Sequence, residues 1–318
     1  MSLGVMFHHF YDDIHPKGQG AISEKEFESI LDYYQKNYNL LRANDWLLKA
    51  KARSLSERDV CITFDDCLKC QFDVAFPVLE KRNLTAFWFV YSSVLEGGAE
   101  VLEVYRYFRT VCYKDDIEDF YKDFFPFLYQ SENSELIKEG LKGFIPEDYL
   151  KSQGFYSRND RIFRYLRDRV LGKDLYNNSM DLFIELKGFN REEVLDLLWM
   201  DNENLKTLKS LDHIVGLHSH SHPTCIANLS YEKQKEEYRK NYNYLKDLLG
   251  VVPETVAHPC GSYNEDTLEV LKSLGVNIGF RANMSFPDRG GLEFPREDHI
   301  NVLRRIEGEN NSFYQQPY

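Results

Sequence analysis

The chain has 318 residues, of which 43% are hydrophobic and 28% are charged, a composition typical of a globular protein. Its formal net charge of −12 argues against a nucleic-acid partner, because binding to a phosphate backbone needs clustered Lys and Arg. No apolar run reaches the roughly 18 residues that a transmembrane helix needs, so no membrane-spanning segment is predicted.

The six cysteines are too few for a disulfide scaffold in a chain of this length. Cys67 and Cys70 form a C-x-x-C pair, but no second pair is present to complete a structural zinc site. The first residues lack a basic segment followed by an apolar stretch, so a cytoplasmic location is expected, unless a leader has been removed. The sequence carries no signal for an oligomeric state.

The first hundred residues alternate between apolar runs and amphipathic segments. Strands are predicted over 3–7, 60–64 and 85–90. Ser23 and Glu26 have the spacing of a capping box, which predicts the start of an amphipathic helix. A second helix is predicted over 73–82, where Pro77 allows a kink. This strand–helix–strand order indicates a parallel sheet with right-handed crossovers.

The alternation stops after Gly97-Gly98 and resumes near residue 206. The segment 99–205 is rich in aromatic and charged residues with helical periodicity, which predicts a helical insertion. Beyond it, strands are predicted over 213–217, 254–257 and 276–280, and helices over 230–249 and 264–274, each followed by a glycine. We therefore predict an α/β domain formed by 1–98 and 206–308, an inserted helical segment and a polar tail at 309–318. A substrate-selecting lid and a packing or oligomerisation element are equally good interpretations of the insertion.

Two carboxylates directly follow the strand predicted over 60–64, where parallel α/β folds place their sites. Asp65 and Asp66 repel each other at this position unless a cation lies nearby. Taken alone, such a pair is more often a helix cap or a turn.

Three histidines within five residues follow the strand predicted over 213–217. His218 and His222 are four residues apart and can both turn toward one ion, to which imidazole supplies a neutral nitrogen ligand. A polar surface loop is a poor explanation of this density of histidine. A third segment, 258–264, is a tight turn whose Pro and Gly are explained by backbone geometry alone.

Together these segments resemble the motifs of the polysaccharide deacetylase family, also called the NodB-homology domain or carbohydrate esterase family 4. Thr63-Phe64-Asp65-Asp66 is similar to the first motif of the family, usually T-F-D-D-G. His218-Ser219-x-x-His222-Pro223 is similar to the second motif, and Pro259-Cys260-Gly261-Ser262-Tyr263-Asn264 to the third. The resemblance covers approximately 1–98 and 205–305 and implies a distorted (β/α)7-type barrel.

The resemblance also implies roles for individual residues. A divalent metal would be held by three side chains, Asp66, His218 and His222; zinc is the expected metal, with cobalt or nickel as alternatives. Asp65 would be the general base that takes a proton from water. The backbone N–H of Cys260, beside Pro259, would help to hold the oxyanion, and His220 receives no role.

The general acid has three candidates. Met6-Phe7-His8 is similar to the Met-Tyr-His that opens the circularly permuted members of the family, so His8 is preferred over its neighbour His9 and over His299. A strand-end histidine bound to a carbonyl is the alternative interpretation of His8.

Two positions depart from the family pattern. Cys67 stands where the first motif has Gly, and Ala257 stands where many members have an Arg that pairs with the base. Arg296 could supply the missing charge, and an exposed surface arginine is the alternative interpretation.

The predicted function is removal of an N-acetyl group from an amino sugar in a polysaccharide or a surface-glycan precursor, so the expected partner is an N-acylated sugar or glycan. Two alternatives stay open. The first is a deformylase or amidase that acts on a small or lipid-linked sugar. The second is a catalytically silent glycan-binding module that has kept its metal site, for which the changes at Cys67 and Ala257 leave room.

Overall fold

The computed structural model describes residues 3–114, 116–151, 156–285 and 290–308, so the predicted tail lies outside the described residues. The chain forms two compact units, one made of Met1–Glu100 and Asp196–Tyr318, the other of Val101–Leu195. No helix of the described residues combines the length and the apolar character needed to cross a membrane.

The first unit is built around one parallel sheet. Its strands are β1 Leu3–Phe7, β2 Asn39–Leu40, β3 Asp59–Phe64, β4 Phe87–Val90, β5 Ile214–Leu217, β6 Thr255–Ala257, β7 Ile278–Phe280 and β8 Arg296–Asp298. Seven of them follow the order β7-β6-β5-β4-β3-β1-β8, and β2 pairs with β3 beside this path. A parallel bridge between Phe280 and Phe294 joins β7 to the segment that leads into β8, so the sheet almost closes on itself. The predicted distorted α/β barrel is confirmed.

Helices cover the outside of this sheet. They are α1 Glu24–Asn37, α2 Ala43–Lys51, α3 Phe76–Lys81, α10 Asn202–Ser210, α11 Tyr231–Leu249, α12 Glu265–Ser273 and α13 His299–Ile306. The capping box predicted at the start of α1 is present: Glu26 N–H donates to Ser23 Oγ at 3.2 Å, and Ser23 N–H donates to Glu26 Oε2 at 2.6 Å. The predicted helix over 73–82 is a π-helical turn, Gln71–Ala75, followed by α3. Pro77 lies in the first turn of α3, directly after the π-helical turn.

Sequence analysis missed β8 and α13. The strand β8 reads Arg-Glu-Asp, which has no apolar alternation, yet Arg296 and Glu297 are almost completely buried. Both are buried as ion pairs: Arg296 binds Asp65, and Glu297 binds Arg305. Paired charges thus replace the apolar residues from which a buried strand is usually recognised.

The second unit is helical. It contains α4 Val101–Cys112, α5 Ile117–Tyr129, α6 Ser134–Gly140, α7 Arg158–Tyr165 and α8 Gly172–Leu186, with a π-helical segment at Leu166–Leu171, and α9 Leu195–Leu198 follows at its boundary. Aromatic side chains dominate its core, among them Phe108, Phe120, Phe124, Phe163 and Phe183. Because α5 and α8 each bury one largely apolar face, the tertiary packing of these faces stabilises the helices.

Candidate active site

Three loops at the carboxyl ends of β3, β5 and β6 carry an unusual backbone. Five of the nine non-glycine residues with positive φ in the described chain lie in these loops: Asp66, Cys67, Ser219, His222 and Cys260, with φ between 52° and 77°. A left-handed conformation costs an L-residue about 1–2 kcal/mol. Such strain tends to concentrate at functional sites. Cys67, at φ 58°, therefore occupies a backbone position that suits the Gly of the family motif.

One carboxylate and two imidazoles converge at these loops. Nε2 of His218 and Nε2 of His222 each lie 3.3 Å from the same oxygen of Asp66, Oδ1. Two ligand atoms that lie about 2.0 Å from a tetrahedral zinc ion are separated by about 3.3 Å. The donor atoms of Asp66, His218 and His222 lie within 4.8 Å of one another. The spacing and the chemistry of this donor set therefore fit a divalent metal.

A backbone carbonyl orients one of these ligands. Nδ1 of His218 lies 2.8 Å from the carbonyl oxygen of Ala257, at the end of β6. A carbonyl can only accept, so Nδ1 carries the proton and donates it, and Nε2 is directed at Asp66. Metal-binding histidines are commonly held in this way, with the second ring nitrogen bound to a carbonyl or a carboxylate.

The electrostatics of the cluster favour a bound cation. Burial raises the pKa of Asp66, but His222 and His218 outweigh it and hold the pKa below its ordinary value. Burial lowers the pKa of His222 to about 4, so this imidazole is neutral at neutral pH. Burial also lowers the pKa of His218, but Asp65 and Asp66 outweigh it and raise the pKa above its ordinary value. The cluster thus takes up a positive charge, which a proton or a metal ion can supply.

Asp65 lies beside this cluster and is bound by Arg296. The guanidinium donates from its two terminal nitrogens to Oδ1 at 2.6 Å and to Oδ2 at 2.7 Å, and its Nε donates to the carbonyl of Arg281 at 2.7 Å. Arg296 is only 1% exposed, so its interpretation as a surface arginine is wrong. Burial raises the pKa of Asp65, but Arg296 and His218 outweigh it and hold the pKa below its ordinary value. Asp65 is therefore a carboxylate at neutral pH.

The three histidines considered as the acid lie in different environments. His8, whose side chain is 29% exposed, places Nε2 3.9 Å from Asp65 Oδ2 and 4.0 Å from Asp66 Oδ2. The ring of His9 stacks beside that of His8, with centroids 6.5 Å apart. His299 is buried, and its two ring nitrogens lie 3.2 Å and 3.0 Å from the carbonyl oxygens of Met6 and Gly20. The structure thus brings His8 to the two aspartates and directs His299 at the backbone.

A second group of possible ligand atoms involves the same histidines. Atoms of His8, Asp298 and His299 lie within 4.8 Å of one another. Because both nitrogens of His299 face backbone carbonyls, this group is a weaker metal site than the one around Asp66.

The third motif forms a tight turn after β6. Pro259 is buried and Cys260 is exposed at its tip, where φ is 52°. The turn begins two residues after Ala257, whose carbonyl orients His218. His220 turns elsewhere, with Nδ1 3.0 Å from the hydroxyl of Ser92.

Sequence analysis missed a set of supporting contacts behind the site. The ring of Tyr91 packs on that of His222 with centroids 5.1 Å apart, and Trp199 Nε1 donates to the Tyr91 hydroxyl at 2.5 Å. The N–H of Met200 donates to the carbonyl of Cys67 at 2.8 Å and so holds the strained loop after Asp66. Trp199 and Met200 fall inside the predicted insertion. The short apolar run that they form before α10 is the local signal in the sequence that could have indicated their burial.

Comparison with known proteins supports the resemblance seen in the sequence. Residues 187–279, which include His218, His222 and the third motif, match the polysaccharide deacetylase family model. No curated protein matches the chain.

Several solved structures share the fold. The deacetylase PplD of Streptococcus pyogenes, solved in complex with acetate, is 15% identical with a TM-score of 0.55, over 95% of this chain and 96% of its own. IcaB from Ammonifex degensii is 16% identical with a TM-score of 0.56, over 97% and 96% of the two chains. A de-N-acetylase from Aggregatibacter actinomycetemcomitans is 13% identical with a TM-score of 0.55, over 96% and 99%. The predicted resemblance to the polysaccharide deacetylase family is confirmed by the match to the family model, and these solved structures share the fold of this chain.

Proposed function

We propose that this chain hydrolyses the N-acetyl group of an amino sugar within a glycan, with a divalent metal held by Asp66, His218 and His222. Zinc is the first choice for this donor set, and cobalt or nickel would fit the same ligands. The observation that carries the proposal is the shared oxygen of Asp66, 3.3 Å from both imidazoles, beside a second carboxylate that is fixed by an arginine.

The metal, when bound, would supply Lewis acidity at the amide carbonyl. Asp65 would take a proton from the attacking water. Arg296 occupies one lone-pair direction on each oxygen of Asp65, and a carboxylate has about four such directions, so acceptor capacity remains. The guanidinium also fixes the orientation of the carboxylate, which reduces the reorganisation needed during the reaction.

His8 would donate a proton to the departing amine while the carbon–nitrogen bond breaks. Its partial exposure and its position 3.9–4.0 Å from both aspartates suit a group that must reach a substrate. The backbone N–H of Cys260, beside Pro259, is proposed to help to hold the oxyanion as the carbon–oxygen bond forms. The products would be acetate and a free amino sugar.

Arg296 also weighs against the catalytically silent alternative. That interpretation depended partly on Ala257, which leaves the base without its usual arginine. In this chain the guanidinium comes from β8 and reaches Asp65 with two hydrogen bonds, so the base keeps its partner.

Substitution of Asp65 by Asn tests the proposal. Acetate release from N-acetylated chito-oligosaccharides should fall by about 10²–10⁴-fold, the usual contribution of a general base. Zinc content should stay the same, because Asp65 is not among the three ligands. Asp32→Asn, an exposed aspartate that pairs with Arg82, is the matched control and should keep full activity. An unchanged rate in the folded Asp65→Asn protein would refute the assignment.

A further inference from the structure

The helix α11 buries polar side chains on the side that packs against β5. Two of its buried residues, Gln234 and Asn241, are amides that are 0% exposed, and the partly buried Glu237 lies on the same side of the helix. Asn and Gln usually lie at the surface of a protein. A buried polar group is costly unless it is hydrogen-bonded, so the partners of these side chains indicate what α11 stabilises.

Glu237 binds the backbone of the loop that carries both proposed histidine ligands. Its Oε2 accepts a hydrogen bond from the N–H of His220 at 3.0 Å and another from the N–H of Ser221 at 2.8 Å. Its Oε1 accepts a third from the hydroxyl of Ser221 at 2.7 Å. One carboxylate thus binds two consecutive N–H groups that lie between His218 and His222.

Asn241, one turn further along α11, binds the start of the same loop. Its Oδ1 accepts a hydrogen bond from the N–H of His218 at 3.0 Å, and its Nδ2 donates to the carbonyl of Val90 at 2.9 Å. Val90 is the last residue of β4, and His218 directly follows β5. The amide of Asn241 therefore joins the carboxyl ends of two neighbouring strands at the point where the proposed metal ligands begin.

The loop 218–222 has a backbone that needs such support. Ser219 and His222 have φ of 63° and 52°, in the left-handed region. This conformation is unfavourable for a residue with a side chain, and it persists only where surrounding contacts fix it. The N–H of His222 donates to Ser219 Oγ at 3.1 Å, which joins the two strained residues to each other. Glu237 and Asn241 join the loop to a helix of 19 residues.

We propose that Glu237 and Asn241 are positioning residues that hold the loop 218–222 in its metal-binding conformation before the metal binds. The inference rests on the proposed function, because His218 and His222 are ligands of the proposed metal site. A loop held in this way directs both imidazoles at Asp66 without help from the metal. If the loop were in place in only a fraction of the molecules, the apparent metal affinity would fall by that fraction.

The zinc affinity of the full chain, measured by competition with a chromophoric chelator, tests the proposal. Glu237→Met should weaken zinc binding by about tenfold or more, as is usual when a residue that supports metal ligands is lost. Glu237→Gln should restore most of the affinity, because its amide oxygen can still accept from the N–H groups of His220 and Ser221.

Glu236→Met is the matched control, because Glu236 is the neighbouring residue on α11, is exposed, pairs with Lys240 and carries the same charge. Its zinc affinity should equal that of the wild-type protein. If Glu236→Met or Glu237→Gln lost as much affinity as Glu237→Met, the effect would come from charge alone and the proposal would be overturned.

Asn241→Asp tests the second residue. It keeps the shape of the side chain but can no longer donate to the carbonyl of Val90. Its added negative charge would strengthen cation binding, so weaker zinc binding in this variant can come only from loss of the loop conformation. Asn243→Asp, at an exposed position of the same helix, is its control and should not weaken zinc binding. If Asn241→Asp fails to fold, the Glu237 variants decide.

Hydrogen exchange of the chelator-treated, metal-free protein measures the positioning directly. The amides of His220 and Ser221 should exchange faster in Glu237→Met than in the wild-type protein or in Glu236→Met, because they have lost their acceptor. Unchanged zinc affinity in folded Glu237→Met, or weaker binding without faster exchange, would overturn the inference and leave the proposed function intact. Glu237-dependent zinc binding and exchange in a chain that releases no acetate would support the inference and count against the proposed function.

Discussion

Two buried histidines at opposite ends of β5 show how the sheet separates stability from chemistry. His213 precedes the strand, and its Nδ1 accepts hydrogen bonds from the backbone N–H of Ala86 and from Nε1 of Trp88, both at 3.0 Å. His218 follows the strand, donates to the Ala257 carbonyl and directs Nε2 at Asp66. The two are 5% and 1% exposed, so burial does not distinguish them.

Their partners do. At the amino end of the strand, two donors fill the acceptor capacity of His213, and burial lowers its pKa to about 4. At the carboxyl end, the oxygen of Asp66 and the nitrogens of His218 and His222 face one another, and a bound cation would satisfy all three. Parallel barrels generally place catalysis at the carboxyl ends of their strands and stability at the amino ends. On β5, the proposed metal ligand His218 and the hydrogen-bonded His213 follow this division.

The largest expected effect is a loss of zinc affinity and activity on substitution of His218 but not of His213. His218→Gln should lower zinc affinity by at least about 100-fold and abolish acetate release, because an amide is a poor substitute for an imidazole ligand. His213→Gln should keep zinc affinity and activity near the wild-type values at neutral pH. Equilibrium dialysis and an acetate assay measure both, and a similar loss of zinc in the two variants would break the comparison.

Removal of the charge partner of Asp65 should have the next largest effect. Arg296→Met leaves a carboxylate that is 3% exposed without its counter-ion, and loss of one partner of a buried pair costs about 3–5 kcal/mol of unfolding free energy. Urea denaturation measures the loss. The double variant Arg296→Met/Asp65→Asn should recover part of it, because position 65 then carries no unpaired carboxylate. A loss below about 1 kcal/mol, typical of a surface substitution, would contradict the burial of this pair.

The pH dependence of stability tests the environment of His213, at the amino end of β5. His213 has a folded pKa of about 4, below its ordinary value of about 6.5, so the unfolded chain binds the proton more tightly. The contribution of neutral His213 is therefore complete above about pH 6.5 and is lost as the pH falls toward 4. Between pH 7 and pH 5, the wild-type protein should lose about 2 kcal/mol more unfolding free energy than His213→Gln. Parallel pH profiles of the two proteins would show that the pKa of His213 is not lowered in the fold.

The smallest effect concerns a helix cap that has no contact with the metal cluster. Ser23→Ala should cost about 1 kcal/mol of stability and leave acetate release unchanged, because it removes the acceptor for the Glu26 N–H. Ser29→Ala, in the exposed middle of the same helix, should be close to neutral. A lower turnover in Ser23→Ala would mean that α1 takes part in organising the site.

Local signals made much of the fold predictable. The strand over 3–7, the capping box at Ser23 and the glycine that ends α11 all follow from adjacent residues, and the structure places them as expected. The strand β8 could not be found in this way, because its buried Arg296 and Glu297 are stabilised by partners far away in the chain.

Prediction of the site has the same limit, because contacts between residues far apart in the chain cannot be read from the local sequence. The resemblance to the family motifs implied one metal cluster of Asp66, His218 and His222, and these three residues do converge. The pairing of Arg296 with Asp65 was one of two open interpretations, because the sequence does not show which side chain faces the barrel interior. The roles of His213 and His218 depend on which backbone groups face each ring, which is also a property of the folded chain.

An anomalous difference map from crystals grown with zinc tests the central claim most directly. We expect one strong peak per chain, bound by Asp66 Oδ1, His218 Nε2 and His222 Nε2, and no such peak in crystals of His218→Gln. A peak beside His8, Asp298 and His299 instead, or no peak at the Asp66 cluster in crystals of a zinc-loaded, active protein, would contradict the account.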